Sequence, residues 1–106
     1  LILSNRTDIP QLLKCMDVFL FPSLFEGLSV TLVEAQVAGL RCVISDTIKP
    51  NNVLVESTIQ VPLRSSTDEW CDAILDVNRK SASHYDISAF DMNQVVEYLA
   101  KLYNEQ

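Results

Sequence analysis

Two carboxylates, Glu26 and Glu34, bound the segment "EGLSVTLVE", and Gly27, Leu28, Ser29 and Thr31 lie between them. Paired carboxylates can act as acid and base, surround a ligand, or balance cations. Ser29 reads as the cap of a helix that begins at Val30. The start of such a helix offers free N–H groups and a positive dipole end, which suits an anion. Gly27 allows a backbone to come close to a ligand. Thr31 and Glu34, three positions apart, share one helical face. The helix is apolar on most sides, the pattern of a buried helix. Glu34 is therefore expected to be a buried carboxylate with something paired to it.

Two readings of the pair stay open on spacing alone. In one, Glu26 and Glu34 surround a single ligand, and the helix N-terminus between them holds an anion. In the other, Glu34 pairs with Arg41 or Arg6, and Glu26 merely favours the helix dipole. A hydrolytic pair is disfavoured. Eight residues of continuous helix span about 12 Å, whereas glycosidase carboxylates stand about 5–9.5 Å apart.

Other chemistries find little support. The chain has only two glycines, Gly27 and Gly39, too few for a dinucleotide loop or a P-loop. His84 is the only histidine, in the polar stretch "KSASHYD", and reads as an exposed loop residue. Neither Ser45 nor Ser57 has the nucleophile-elbow sequence of a hydrolase. No His/Cys/Asp/Glu group has metal-ligand spacing, so no metal is expected. Cys15, Cys42 and Cys71 are odd in number and lack C-x-x-C spacing, which points to small, buried, reduced thiols. A net charge of −6 without a basic stripe argues against nucleic acid and against an anionic membrane surface. No apolar run reaches the roughly 18 residues of a transmembrane helix, and no leader sequence is visible.

The elements that would carry these residues alternate. "LIL" (1–3) reads as the end of a strand. Asp8 and Pro10 open a short helix with Ile9, Leu12, Leu13 and Met16 on one face. "DVFLFPS" and "RCVISD" read as strands buried on both faces, joined by the helix from Val30 to Ala38 that Gly39 ends. Residues 47–57 are polar and irregular, and "TIQVPL" is a short strand. Ser66 or Thr67 caps a helix to about Lys80, with Trp70, Ile74 and Val77 on one face. A last amphipathic helix covers roughly 91–104. The order predicts one α/β domain over residues 1–106, a partial Rossmann-like parallel sheet flanked by helices.

The stretch "DIPQLLKCMDVFLFPSLFEGLSVTLVEAQVAGLRCVISD" (8–46) resembles the C-terminal half of retaining, nucleotide-sugar-dependent glycosyltransferases of the GT-B fold. The type is the one that builds bacterial capsular and exopolysaccharides. The likeness rests on the D-V-F-L-F-P-S strand, the E-G after it, the E-x7-E spacing, the E-A-Q-x-A-G helix end and the v-i-S-D strand. It implies transfer of a sugar from a nucleoside diphosphate donor with retention of configuration, without cofactor or metal. It also implies that Glu26 contacts donor-sugar hydroxyls and Glu34 the ribose hydroxyls. Backbone N–H groups around Gly27, Leu28, Ser29 and Thr31 would take the diphosphate and sugar, and Asn5 to Thr7 would border the base.

The family's acceptor-binding N-terminal domain has no counterpart in the chain, nor do the strands carrying the Arg and Lys that hold the diphosphate. Arg6, Lys14 and Arg41 are not at the matching positions. Residues 47–57 lack the family's glycine and glutamate pattern. The chain is therefore expected to be a truncated donor-site piece of a cytoplasmic enzyme, working in full length at the inner face of the membrane. Alone it should be inactive and prone to self-associate through an exposed sheet edge. A non-catalytic nucleotide-sugar or protein-binding module is the alternative. An epimerase would need catalytic acids that are not evident, and a receiver module an acidic pair and a lysine at strand ends.

Overall fold

The computed structural model describes residues 1–76 and the single positions 91, 93, 96 and 100. The final helix expected at 91–104, His84 and Val77 to Lys80 thus fall wholly or largely outside the described residues.

Three parallel strands, β1 (Val18–Phe21), β2 (Arg41–Ser45) and β3 (Ile59–Val61), form one sheet in that order. Val18 lies opposite Arg41 and Phe21 opposite Ile44, and Ser45 lies opposite Val61. Helix α1 (Ile9–Leu13) precedes β1, α2 (Val30–Val37) connects β1 to β2, and α3 (Thr67–Leu75) follows β3. The arrangement is α/β and Rossmann-like, as the alternation predicts.

Burial follows position in the sheet. The central strand β2 is buried from Cys42 to Ser45, whereas β1, at the edge of the sheet among the described residues, is half-buried with Leu20 exposed. The expectation that both strands are buried on both faces therefore holds for β2 alone. Leu1 to Leu3 are exposed and outside any strand, which corrects the expected strand end. The core packs Leu13, Leu32, Ala35, Cys42, Ile44 and Ile48, with the rings of Phe19 and Phe21 stacked at 5.6 Å beneath it. Of the three thiols only Cys42 is buried, and burial pushes it up to about 12. Cys15 and Cys71 are exposed, contrary to the expectation of three buried thiols.

Helix α2 is two-faced. Leu32, Val33, Ala35 and Gln36 are buried, while Val30, Thr31, Glu34 and Val37 are exposed. Its composition is apolar nearly all round because an exposed valine at either end leaves Thr31 and Glu34 as the only polar marks of the outer face. Gly39 ends the helix at φ 79, a left-handed conformation that a side chain would strain.

Arg41 donates to the backbone carbonyls of Ile74 and Asp76, so it closes the end of α3 and is not the partner of Glu34. Among the described residues no helix is long and apolar enough to cross a membrane.

Candidate donor site

The loops after β1 and β2 both leave the sheet at the carboxyl ends of its strands, the place where open α/β sheets bind ligands. Hydroxyl bonds tie the first loop to the second. The Ser23 carbonyl accepts from Ser45 Oγ and, at 2.8 Å, from Thr47 Oγ1. The Ser23 hydroxyl in turn donates to Glu26 Oε1 at 2.8 Å. Glu26 is thus half-buried and oriented through Ser23 from the end of β2.

The start of α2 is set by a side chain from further along. Asn52, fully buried in the 3₁₀ turn Pro50–Asn52, accepts the Ser29 N–H on Oδ1 at 2.6 Å. Its Nδ2 donates to the Gly27 carbonyl at 2.8 Å and to Asn51 Oδ1 at 3.2 Å. Ser29 Oγ caps the helix by accepting the Leu32 N–H at 3.3 Å. The Ser29 N–H is therefore engaged within the protein, which corrects its assignment as a donor to a ligand. The N–H groups of Gly27, Leu28, Val30 and Thr31 have no hydrogen-bond partner among the described residues.

Glu34 is exposed, which corrects the expectation of a buried carboxylate. The fifth residue of α2, it sits one turn beyond Thr31 on the solvent-facing side, where water solvates the charge. Neither expected ion pair forms. Arg6 is bound to Asp8, with Nε donating to Oδ1 at 2.7 Å, and Arg41 serves α3. The guanidinium holds the Asp8 carboxyl below its ordinary value, and that carboxylate makes no cap bond to α1. Glu34 has no partner among the described residues.

Thr31 also lines a groove of about 420 Å³ together with Asn5, Arg6, Ile9 and Phe19. Asn5 adopts φ 54, which turns the chain beside that groove. The structure thus brings Thr31, on the face of Glu34, next to the segment expected to border a base. Among the described residues no group of three His, Cys, Asp or Glu could hold a metal ion.

Sequence reasoning missed Asn52, Gln36 and Ser23. Gln36 offered a signal, as the single amide inside an otherwise apolar stretch of helix. Asn52 offered a weaker one, since Pro-Asn-Asn reads equally well as a solvated turn.

A family model described as Glycosyl transferases group 1 matches residues 1–79. The chain belongs to this family. The chain is 33% identical over 113 aligned positions to an Escherichia coli protein, UDP-Gal:alpha-D-GlcNAc-diphosphoundecaprenol alpha-1,3-galactosyltransferase, covering 97% of the chain and 29% of that relative. EpsF of Bacillus subtilis is 54% identical over 78 residues, 70% of the chain and 20% of EpsF. A Campylobacter jejuni N,N'-diacetylbacillosaminyl-diphospho-undecaprenol alpha-1,3-N-acetylgalactosaminyltransferase is 43% identical over 44 residues, 42% of the chain and 12% of its own length. The group 1 chain therefore spans less than a third of each of these relatives. No solved structure gives a significant match. Both the family and the Rossmann-like sheet agree with a glycosyltransferase of GT-B type.

Proposed function

We propose that this chain supplies the donor site of a retaining glycosyltransferase that moves a hexose from a nucleoside diphosphate sugar to a lipid-linked acceptor. The observation that carries the reading is the open start of α2. Four backbone N–H groups there lack partners among the described residues, and a carboxylate without a cation stands one turn along. An anion with hydroxyls beside it fits both features, and a nucleoside diphosphate sugar has both.

In this reading Glu34 accepts the ribose hydroxyls, and the groove by Asn5 and Thr31 borders the base. The N–H groups of Gly27, Leu28, Val30 and Thr31 face the diphosphate and sugar, and Glu26 accepts sugar hydroxyls. Gly27 supports this placement. Its φ is not positive, and a Cβ built on it meets nothing within 4 Å, so neither backbone nor packing asks for glycine. A closely approaching ligand would. The leaving diphosphate is stabilised by backbone donors and by cations, without a metal. Arg6 and Arg41 are engaged elsewhere, so neither supplies those cations.

The relatives' names guide the substrates to try. Two of them name α-1,3 transfer onto diphospho-undecaprenol-linked sugars, and one names UDP-galactose as donor. UDP-galactose is itself an α-glycoside, so an α product means retention. Such an acceptor would put the full-length enzyme at the inner face of a membrane.

The test is a transfer assay with UDP-galactose or UDP-N-acetylgalactosamine and a diphospho-undecaprenol-linked sugar. The full-length protein should form an α-linked product, insensitive to EDTA, and the 106-residue chain alone should neither transfer nor hydrolyse donor. Turnover by the isolated chain would contradict the division of labour, and a β-linked product would contradict retention.

A further inference from the structure

Asn52 makes long-range polar contacts in the candidate site, yet it lies outside the E-x7-E segment. It reaches the α2 loop across 23 and 25 residues of sequence to meet Ser29 and Gly27. Its carboxamide bonds two backbone groups two residues apart, one carbonyl and one N–H, as a neighbouring strand would. Its own backbone is held from behind. Gln36, 1% exposed, donates from Nε2 to the Asn52 carbonyl at 2.8 Å and to the Leu32 carbonyl at 3.2 Å. Gln36 Oε1 accepts the Leu54 N–H at 2.7 Å. A closed circuit results, running from α2 through Gln36 to the Asn52 backbone, and through the Asn52 side chain back to the loop that opens α2.

Peptide planarity turns this circuit into a statement about the site. The Gly27 carbonyl and the Leu28 N–H belong to one trans peptide unit and point in opposite directions. Fixing the carbonyl on buried Asn52 therefore aims the Leu28 N–H away from the protein interior. The bond from Ser29 N–H to Asn52 fixes the next peptide unit as well.

We propose that Asn52, backed by Gln36, is a positioning residue for the donor site, holding the Leu28 N–H and the first free N–H groups of α2 ready for a diphosphate. This rests on the donor-site reading above. The loss on removing it should fall on the phosphates rather than on the base or ribose.

The test uses the full-length protein and its Asn52→Ala variant, with UDP and UMP as probes and amide hydrogen exchange without ligand as the second readout. In Asn52→Ala, the Ser29 amide should exchange faster while β2 keeps its protection. Affinity for UDP should fall about tenfold, and affinity for UMP by clearly less. Asn52→Asp serves if the alanine variant fails to fold, because it keeps the acceptor for Ser29 N–H and loses the donor to Gly27 and to the neighbouring Asn51. Its UDP affinity relative to wild type should recover as pH falls, since the carboxyl group introduced at position 52 can, once protonated, donate to the Gly27 carbonyl again. Unchanged exchange at Ser29, or equal losses for UDP and UMP, would overturn the positioning role. Wild-type protein that binds neither nucleotide would overturn the donor-site reading itself, and the exchange result would still decide whether the clamp exists.

Discussion

Helices α2 and α3 both begin on a serine whose hydroxyl accepts the N–H three residues on, and beyond that bond they differ. In α3 the residue three after the cap is Glu69, which reaches back to accept the Ser66 N–H at 2.8 Å. Asp68 adds a second carboxylate to the same turn. The Thr67 and Asp68 N–H groups lack partners among the described residues, as those of Val30 and Thr31 do, but two carboxylates offset the positive end of this helix. In α2 the residue three after the cap is Leu32, the first turn holds no acid, and the carboxylate is displaced to Glu34. A shift of two positions separates a helix end closed to anions by its own carboxylates from one open to them, with its carboxylate free to meet a partner from outside. The same residue types thus serve stability at one helix and, in our reading, binding at the other.

The contrast can be broken first at the sugar. Glu26→Ala in the full-length protein should lower turnover of UDP-galactose by about a hundredfold, through lost sugar positioning. Binding of bare UDP, measured by calorimetry, should change little. Equal losses for both ligands would assign Glu26 to the nucleotide or to the fold.

Glu34→Gln should weaken UDP by about 1.5–3 kcal/mol through lost charge-assisted bonds to ribose. Because Glu34 is exposed and unpartnered among the described residues, the melting temperature should stay put, and a fall in it would point to a structural role instead.

Gly27→Ala sharpens the comparison by separating fold from ligand. An added Cβ meets nothing in the protein, so stability should hold or rise by about 0.4–1 kcal/mol through the unfolded chain. UDP affinity should nevertheless drop. If it does not, no ligand comes close to that backbone.

At α3 the expected effects are smaller and confined to stability. Ser66→Ala should cost about 1 kcal/mol in denaturant unfolding and leave UDP binding as it was. Acid should find α3 first. The Ser66 backbone N–H, with hydroxyl help from Ser65 and Ser66, holds the Glu69 carboxyl below its ordinary 4.5. Its contribution is therefore present above about pH 4.5 and is lost as pH falls through the lower folded value. The Ser29 hydroxyl cap of α2 does not titrate. Amide exchange followed down in pH should show residues 66–70 loosening before 29–33.

The sequence made the sheet legible because its signals are local. Pro22 and Ser23 stop β1, Ser29 and Gly39 bound α2, and "RCVIS" is uniformly apolar enough to be central. Burial was less legible because it depends on neighbours. The runs of β1 and β2 look alike, yet one is an edge and the other the centre. Glu34 looked buried for the same reason, since the valines flanking it hide which face of α2 is outward. The carboxylates of the candidate site stood out in the segment itself. Their supports did not, because Ser23 acts through a bond from Thr47 and Asn52 through bonds spanning more than 20 residues.

The central claim is that the open end of α2 receives a diphosphate while the closed end of α3 does not. Amide hydrogen exchange of the full-length protein with and without saturating UDP tests it most directly. The account predicts slower exchange at Gly27, Leu28, Val30 and Thr31 on adding UDP, with residues 66–69 unchanged. UDP bound, by calorimetry on the same sample, with no gain in protection at those four amides would contradict it.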